Sequence, residues 1–217
     1  MPPAPAGAAD PERSLPVPDF FSPDTAFTVS ILPLLLLLAL LAAAVWHDVR
    51  ARRIPNAVVF PGALAALALH ALLPAGAGLF AAQPGGLGIL SALGGLAIGL
   101  AVLLPLYALR LMGAGDVKLL AMVGAFVGAG QILAVSLFTL AAGGLLALVF
   151  AACQGQLKPL LANACRMAAF TGMTALSGRP MVAAPAAASG RLPYAIAIAT
   201  ASAASALWLH AFGSLPI

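Results

Sequence analysis

Charge is what this chain has least of. Asp, Glu, Lys and Arg make up 7% of its 217 residues, against about 25% in soluble globular domains, which argues against a soluble fold. Carboxylates are rarer still: Asp10, Glu12, Asp19, Asp24, Asp48 and Asp116 are all there are. The cysteines Cys153 and Cys165 are too far apart for a paired-thiol motif and too few for a zinc framework or a disulfide scaffold, so both read as reduced and structural. The formal charge is +4, yet no basic stripe interleaved with aromatics is present, and nucleic acid is not an expected partner.

Apolar residues fill the space that charge leaves. They make up 63% of the chain, and the mean hydropathy is +1.08. With about 20 apolar residues needed to cross a bilayer, the length accommodates about six transmembrane helices. The expected fold is all-α, a polytopic membrane helix bundle in one domain over residues 27–217, with the bilayer as its constant partner.

Residues 1–26 are rich in Pro and Ala and carry four acids against the single Arg13. They lack the basic start of a signal peptide and read as a disordered tail. Spans are expected at about Phe27 to Trp46, Ala57 to Leu73, Leu87 to Leu109, Gln131 to Ala152 and Leu192 to Phe212, with a short apolar segment at Val117 to Val127. Gly128-Ala129-Gly130 reads as a turn, and Gln154 to Arg191 as a loop partly at the membrane interface.

Cytoplasmic loops carry an excess of Lys and Arg. With the tail outside, Arg50, Arg52, Arg53, Arg110, Lys118, Lys158, Arg166, Arg179 and Arg191 fall inside and only Arg13 outside. The expected location is a bacterial inner membrane, with Asp48 and Asp116 both on the cytoplasmic side.

These two are the acids that remain within the expected bundle. An ionised carboxylate in a membrane costs roughly 2.5 to 3.5 kcal/mol on insertion scales, so it is by default a functional candidate. Two carboxylates confined together share one proton, because one pKa rises and the other falls. The ionised member can then activate a water while the protonated member polarises a carbonyl, which is the chemistry of aspartic proteolysis. The pair titrates as a unit, and sequence does not assign the two parts. Taken alone, Asp48 reads equally well as an interfacial acid neutralising Arg50 or Arg52. For Asp116, the glycines Gly113 and Gly115 just before it allow positive φ and close backbone approach, and the acid itself could serve as a helix N-cap.

The stretch from Asp48 to Asn56, Asp-Val-Arg-Ala-Arg-Arg-Ile-Pro-Asn, and that from Gly113 to Ala121, Gly-Ala-Gly-Asp-Val-Lys-Leu-Leu-Ala, resemble the two motifs of the type IV prepilin peptidases, which belong to the GxGD aspartic proteases. A softer similarity is Arg191-Leu-Pro-Tyr-Ala195, like the proline-aromatic start of that family's last helix. The resemblance implies catalytic roles for Asp48 and Asp116, and cleavage of a pilin-like precursor after its short basic leader at the cytoplasmic membrane face. It implies no metal or organic cofactor. Paired Cys-x-x-Cys motifs, which mark the methylating members, are not found in this sequence, so the expectation is peptidase activity alone, as in the short forms serving Flp-type pili.

Around the acids, Arg50, Arg52 and Arg53 read as anchors on anionic lipid, with substrate contact the minority reading. Lys118 reads as snorkelling to the interface, or as a cation helping to keep Asp116 ionised. Pro55 and Asn56 read as the start of the second helix, with Asn56 the cap. His47 reads as solvated, His70 and His210 receive no role, and Gly94, Gly95 and Gly99 read as close helix contacts. Two rival functions stand beside the peptidase: an intramembrane GxGD protease of the presenilin kind, and a transporter or assembly factor whose acids relay protons or hold a salt bridge.

Overall fold

A computed structural model of the chain describes residues 23–80, 85–109, 112–158, 162, 165–166 and 194–212, with backbone alone for 23–30. Arg110, Arg179, Arg191, most of the 154–191 loop and most of the N-terminal tail lie outside the described residues.

Six helices account for nearly all of what is described: α1 Pro23–Ala51, α2 Asn56–Leu72, α3 Ile89–Ala108, α4 Ala114–Val127, α5 Ile132–Cys153 and α6 Tyr194–Phe212. Their apolar runs explain them, since a backbone that cannot bond to water must bond within its own helix. Four are long and apolar enough to cross a membrane, namely α3, α5, α6 and the Ile31–Ala51 part of α1. The 17 residues of α2 fall just short. The 14 residues of α4 rise only about 21 Å against a hydrocarbon core of about 30 Å, short of the length of a full span. The expected six elements are therefore present, four of them meeting the length and composition of a full span.

This short helix is the centre of the bundle. Every residue from Leu119 to Val127 is buried, as expected for a helix that is apolar all round and packed on all sides. The other five helices all contact it. Against α3 the approach is set by glycine: a Cβ on Gly95 would collide with the Gly124 carbonyl, and one on Gly99 would lie 2.7 Å from the Leu120 carbonyl oxygen. Gly95 and Gly99, four apart, thus form the small-residue face read from sequence, and Gly94 lies beside Ala129.

The far end of α4 is fastened by a histidine to which the sequence reading gave no role. His70 is buried; its Nδ1 accepts the Leu87 N–H at 3.1 Å and its Nε2 lies 3.1 Å from the Phe126 carbonyl oxygen. With Nδ1 accepting, Nε2 carries the proton and donates to Phe126. One imidazole thereby joins the ends of α2 and α4 to the approach to α3.

Candidate functional site

On α1 the buried residues Leu34, Leu37, Leu41 and Ala44 recur at spacings of three and four, and the next position of that seam is Asp48. The helix continues through Asp48 to Ala51. It closes with the Arg52 N–H on the Asp48 carbonyl at 2.8 Å, and Arg52 takes a left-handed φ of 50°. This is the conformation usually given to glycine after a helix, and it turns the chain toward α2 and α4. Here the Asp48 side chain meets the start of α6, where its Oδ2 accepts the Ala195 N–H at 3.4 Å.

Asp116 is the third residue of α4 rather than its N-cap. The N-cap is Gly113, whose N–H donates to Asp116 Oδ2 at 3.2 Å, so the acid closes the first turn from within, where the helix dipole favours it. Gly113 has φ −80°, ψ 151°, ordinary extended backbone, and Gly115 is helical, so neither supplies the positive φ expected of them. Close approach is what they supply: a Cβ on Gly115 would lie 3.1 Å from the Ile54 Cβ. Ile54, a residue of the first motif, therefore sits on the glycine of the second.

A second tie joins the same two segments. Lys118 Nζ donates to Asn56 Oδ1 at 3.1 Å and lies 5.6 Å from the centre of the Phe60 ring. The lysine thus has a partner in α2. Asn56 is the first helical residue; Pro55 holds the cap position, extended and without a side-chain capping bond. The expected asparagine cap is replaced by an interhelical hydrogen bond.

Of the three arginines, all exposed, Arg50 places its guanidinium 4.2 Å from the centre of the Trp46 ring. Arg52 is the one whose charge acts on Asp48. Cys153 and Cys165 are free and exposed. Among the described residues no three His, Cys, Asp or Glu side chains gather as a metal site.

Asp116 is only 9% exposed. Burial first, and the charge of Asp48 second, push its carboxyl up from 3.8 to about 6, against the lowering effect of the Gly113 N–H. The two carboxylates are therefore electrostatically coupled, one deep and one half-buried, at one end of the bundle. Between α1 and α6 lies an open apolar groove of about 450 Å³, with Leu38, Val45 and Val49 on one wall and Ala199 and Ala203 on the other.

Sequence alone missed the Ala195 N–H, because a backbone donor leaves no mark in composition. It also missed the seat of Ile54 on Gly115, although both residues stand inside the quoted motifs.

A central buried helix bearing one acid, a second acid near the end of α1, and four helices able to cross a membrane define a helical membrane protein. Among known families, the type IV leader peptidase family matches residues 35–152, and the chain belongs to it. It is a membrane-embedded, leader-peptidase-like protease, a hydrolase acting on a protein substrate. The matched stretch contains both acids and stops before α6. No curated protein and no solved structure matches the chain.

Proposed function

We propose that the chain is an aspartic endopeptidase that removes the leader of type IV, Flp-like prepilins at the cytoplasmic face of a bacterial inner membrane, with Asp48 and Asp116 as its catalytic pair and no methyltransferase activity. The observation that carries this reading is the Asp116 carboxyl at the head of the central helix, pushed up first by burial and second by the charge of Asp48. A structural ion pair would have no use for two coupled acids. A shared proton does.

Asp116, the more deeply buried, holds the proton of the pair. Asp48, carrying the Ala195 N–H and the charge of Arg52, is the base. Asp48 takes a proton from a water whose oxygen bonds to the scissile carbonyl carbon, while Asp116 donates to the carbonyl oxygen. As the tetrahedral diol collapses and the C–N bond breaks, one hydroxyl proton returns to Asp116 and the proton held by Asp48 leaves with the new amine. Water is the only co-reactant.

The orientation follows from the end that carries the acids. Arg50, Arg52, Arg53 and Lys118 gather there, and basic residues face the cytoplasm, so the N-terminus lies outside. The arginines serve as anchors on anionic lipid.

Co-expression with a tagged Flp-type prepilin tests the substrate class. The expected product, by mass spectrometry, is a pilin cut after the leader glycine with an unmethylated N-terminus. An uncut precursor beside folded, inserted protein would count against the prepilin substrate, and a methylated product against the peptidase-only reading.

A further inference from the structure

Asp48 receives its only described hydrogen bond to the carboxylate from the first turn of α6, so whatever fixes that turn fixes the acid. The first N–H groups of a helix have no partner within it and point along the axis toward any nearby anion. Ala195 is fully buried, one residue after the start of α6 at Tyr194. Its N–H can reach Asp48 only while α6 begins at this place and angle.

Tyr194 is the residue that seats this start. Its ring packs on α5 at Gly143, where an added Cβ would lie 3.1 Å from Cε1 and 3.4 Å from Cδ1 of the ring, with the Ala197 Cβ at 3.8 Å. The neighbouring Gly144 has nothing within 4 Å of the same construction, so the requirement for a bare backbone belongs to Gly143 alone. Tyr194 also packs against the buried core, and the charge of Asp116 reaches its phenol. The ring therefore rests on α5, with its phenol within reach of the Asp116 charge.

We infer that Tyr194 and Gly143 are positioning residues for the acid pair: the ring seated on Gly143 sets the first turn of α6, and the Ala195 N–H of that turn holds the Asp48 carboxylate in its working orientation. The inference rests on the proposed role of Asp48, but its structural half stands apart from the substrate. The role belongs to the ring, not the hydroxyl. Among side chains, Arg52 acts on the Asp48 carboxyl, Asp48 on that of Asp116, and Asp116 on the Tyr194 phenol.

The test uses the full chain in detergent or nanodiscs, with Tyr194→Phe, Tyr194→Ala, Gly143→Ala, Gly143→Val and Gly144→Ala. Amide exchange at Ala195 is expected to accelerate at least about tenfold in Tyr194→Ala and Gly143→Val, less in Gly143→Ala, and not at all in Tyr194→Phe or Gly144→Ala. This readout does not depend on any substrate. With tagged Flp-type prepilin, the first two variants should lose at least about tenfold in kcat with KM changed less than about twofold, and the acidic limb of their rate profiles should move to higher pH. Tyr194→Phe should keep both rate and profile. Unchanged exchange at Ala195 in both Tyr194→Ala and Gly143→Val would overturn the inference, and so would a Tyr194→Phe variant as impaired as Tyr194→Ala. Wild-type exchange behaviour as predicted, with no prepilin cleavage, would uphold the positioning and reject the peptidase substrate instead.

Discussion

In the proposed mechanism Asp116 carries the proton below about pH 6, because its carboxyl is buried and is acted on by the charge of Asp48, and this has a consequence for stability as well as for chemistry. Its pKa rises from 3.8 to about 6 on folding, so the native state binds the proton more tightly than the unfolded chain. That stabilisation is complete below about pH 4 and is lost as pH rises through about 6. The loss amounts to at most about 3 kcal/mol at 1.36 kcal/mol per pH unit. Asp116→Asn keeps an oxygen for the Gly113 N–H and has no charge to bury. Thermal unfolding in detergent should therefore show this variant more stable than wild type at pH 7.5 and equal to it near pH 4. An unchanged difference across that range would show that the carboxyl does not titrate in the native state as described. The same proton predicts an activity profile that falls on its alkaline side from about pH 6 upward, measured as the initial rate of leader removal.

At the scale of elements, the two motifs act as one unit because Ile54 rests on Gly115 and Lys118 reaches Asn56. Gly115→Ala puts a methyl 3.1 Å from the Ile54 Cβ, so one segment must shift by a few tenths of an ångström. Proteolytic rate should drop about tenfold in this variant, in line with the sensitivity of catalysis to small misplacements. Adding Ile54→Ala should recover part of the loss, and a double mutant no better than the single one would break the link. Helix ends were legible to within two residues for α2, α3, α5 and α6, because apolar runs bounded by Pro, Gly and charge mark them. The start of α4 was not: the expected segment began at Val117, whereas the helix begins at Ala114, since Gly-Ala-Gly carries no helical signal and is recruited by the Asp116–Gly113 bond. Sequence also put the cap of α2 on Asn56, where the backbone is already helical; the side chain had a better partner sixty-two positions away in Lys118.

For the whole molecule, the acids stand at one end of α4 and the His70 fastening at the other. His70→Leu would strand the buried Phe126 carbonyl, at roughly 1 to 3 kcal/mol, and would also free the part-buried Leu87 N–H. The unfolding temperature should fall markedly while the kcat of the folded fraction stays within about twofold of wild type; a selective loss of kcat at unchanged stability would place His70 in the chemistry. The all-helical bundle was legible in the sequence, and charge so scarce makes both acids stand out against the apolar background. What ties together the helices that carry them was not legible, since it lies in long-range contacts: Asp48 with Ala195, Ile54 with Gly115 and Tyr194 with Gly143. The proposed orientation makes its own prediction. A membrane-impermeant probe applied to intact cells should reach a tag on the N-terminus and should leave a single cysteine introduced at Arg53 unlabelled; the reverse pattern would turn the bundle over.

The measurement closest to the central claim is the rate of leader removal from purified Flp-type prepilin by wild type, Asp48→Asn and Asp116→Asn, each shown to be folded and inserted. The account predicts that wild type cleaves after the leader glycine and that each single substitution abolishes cleavage. Substantial processing by either variant would contradict the shared-proton pair.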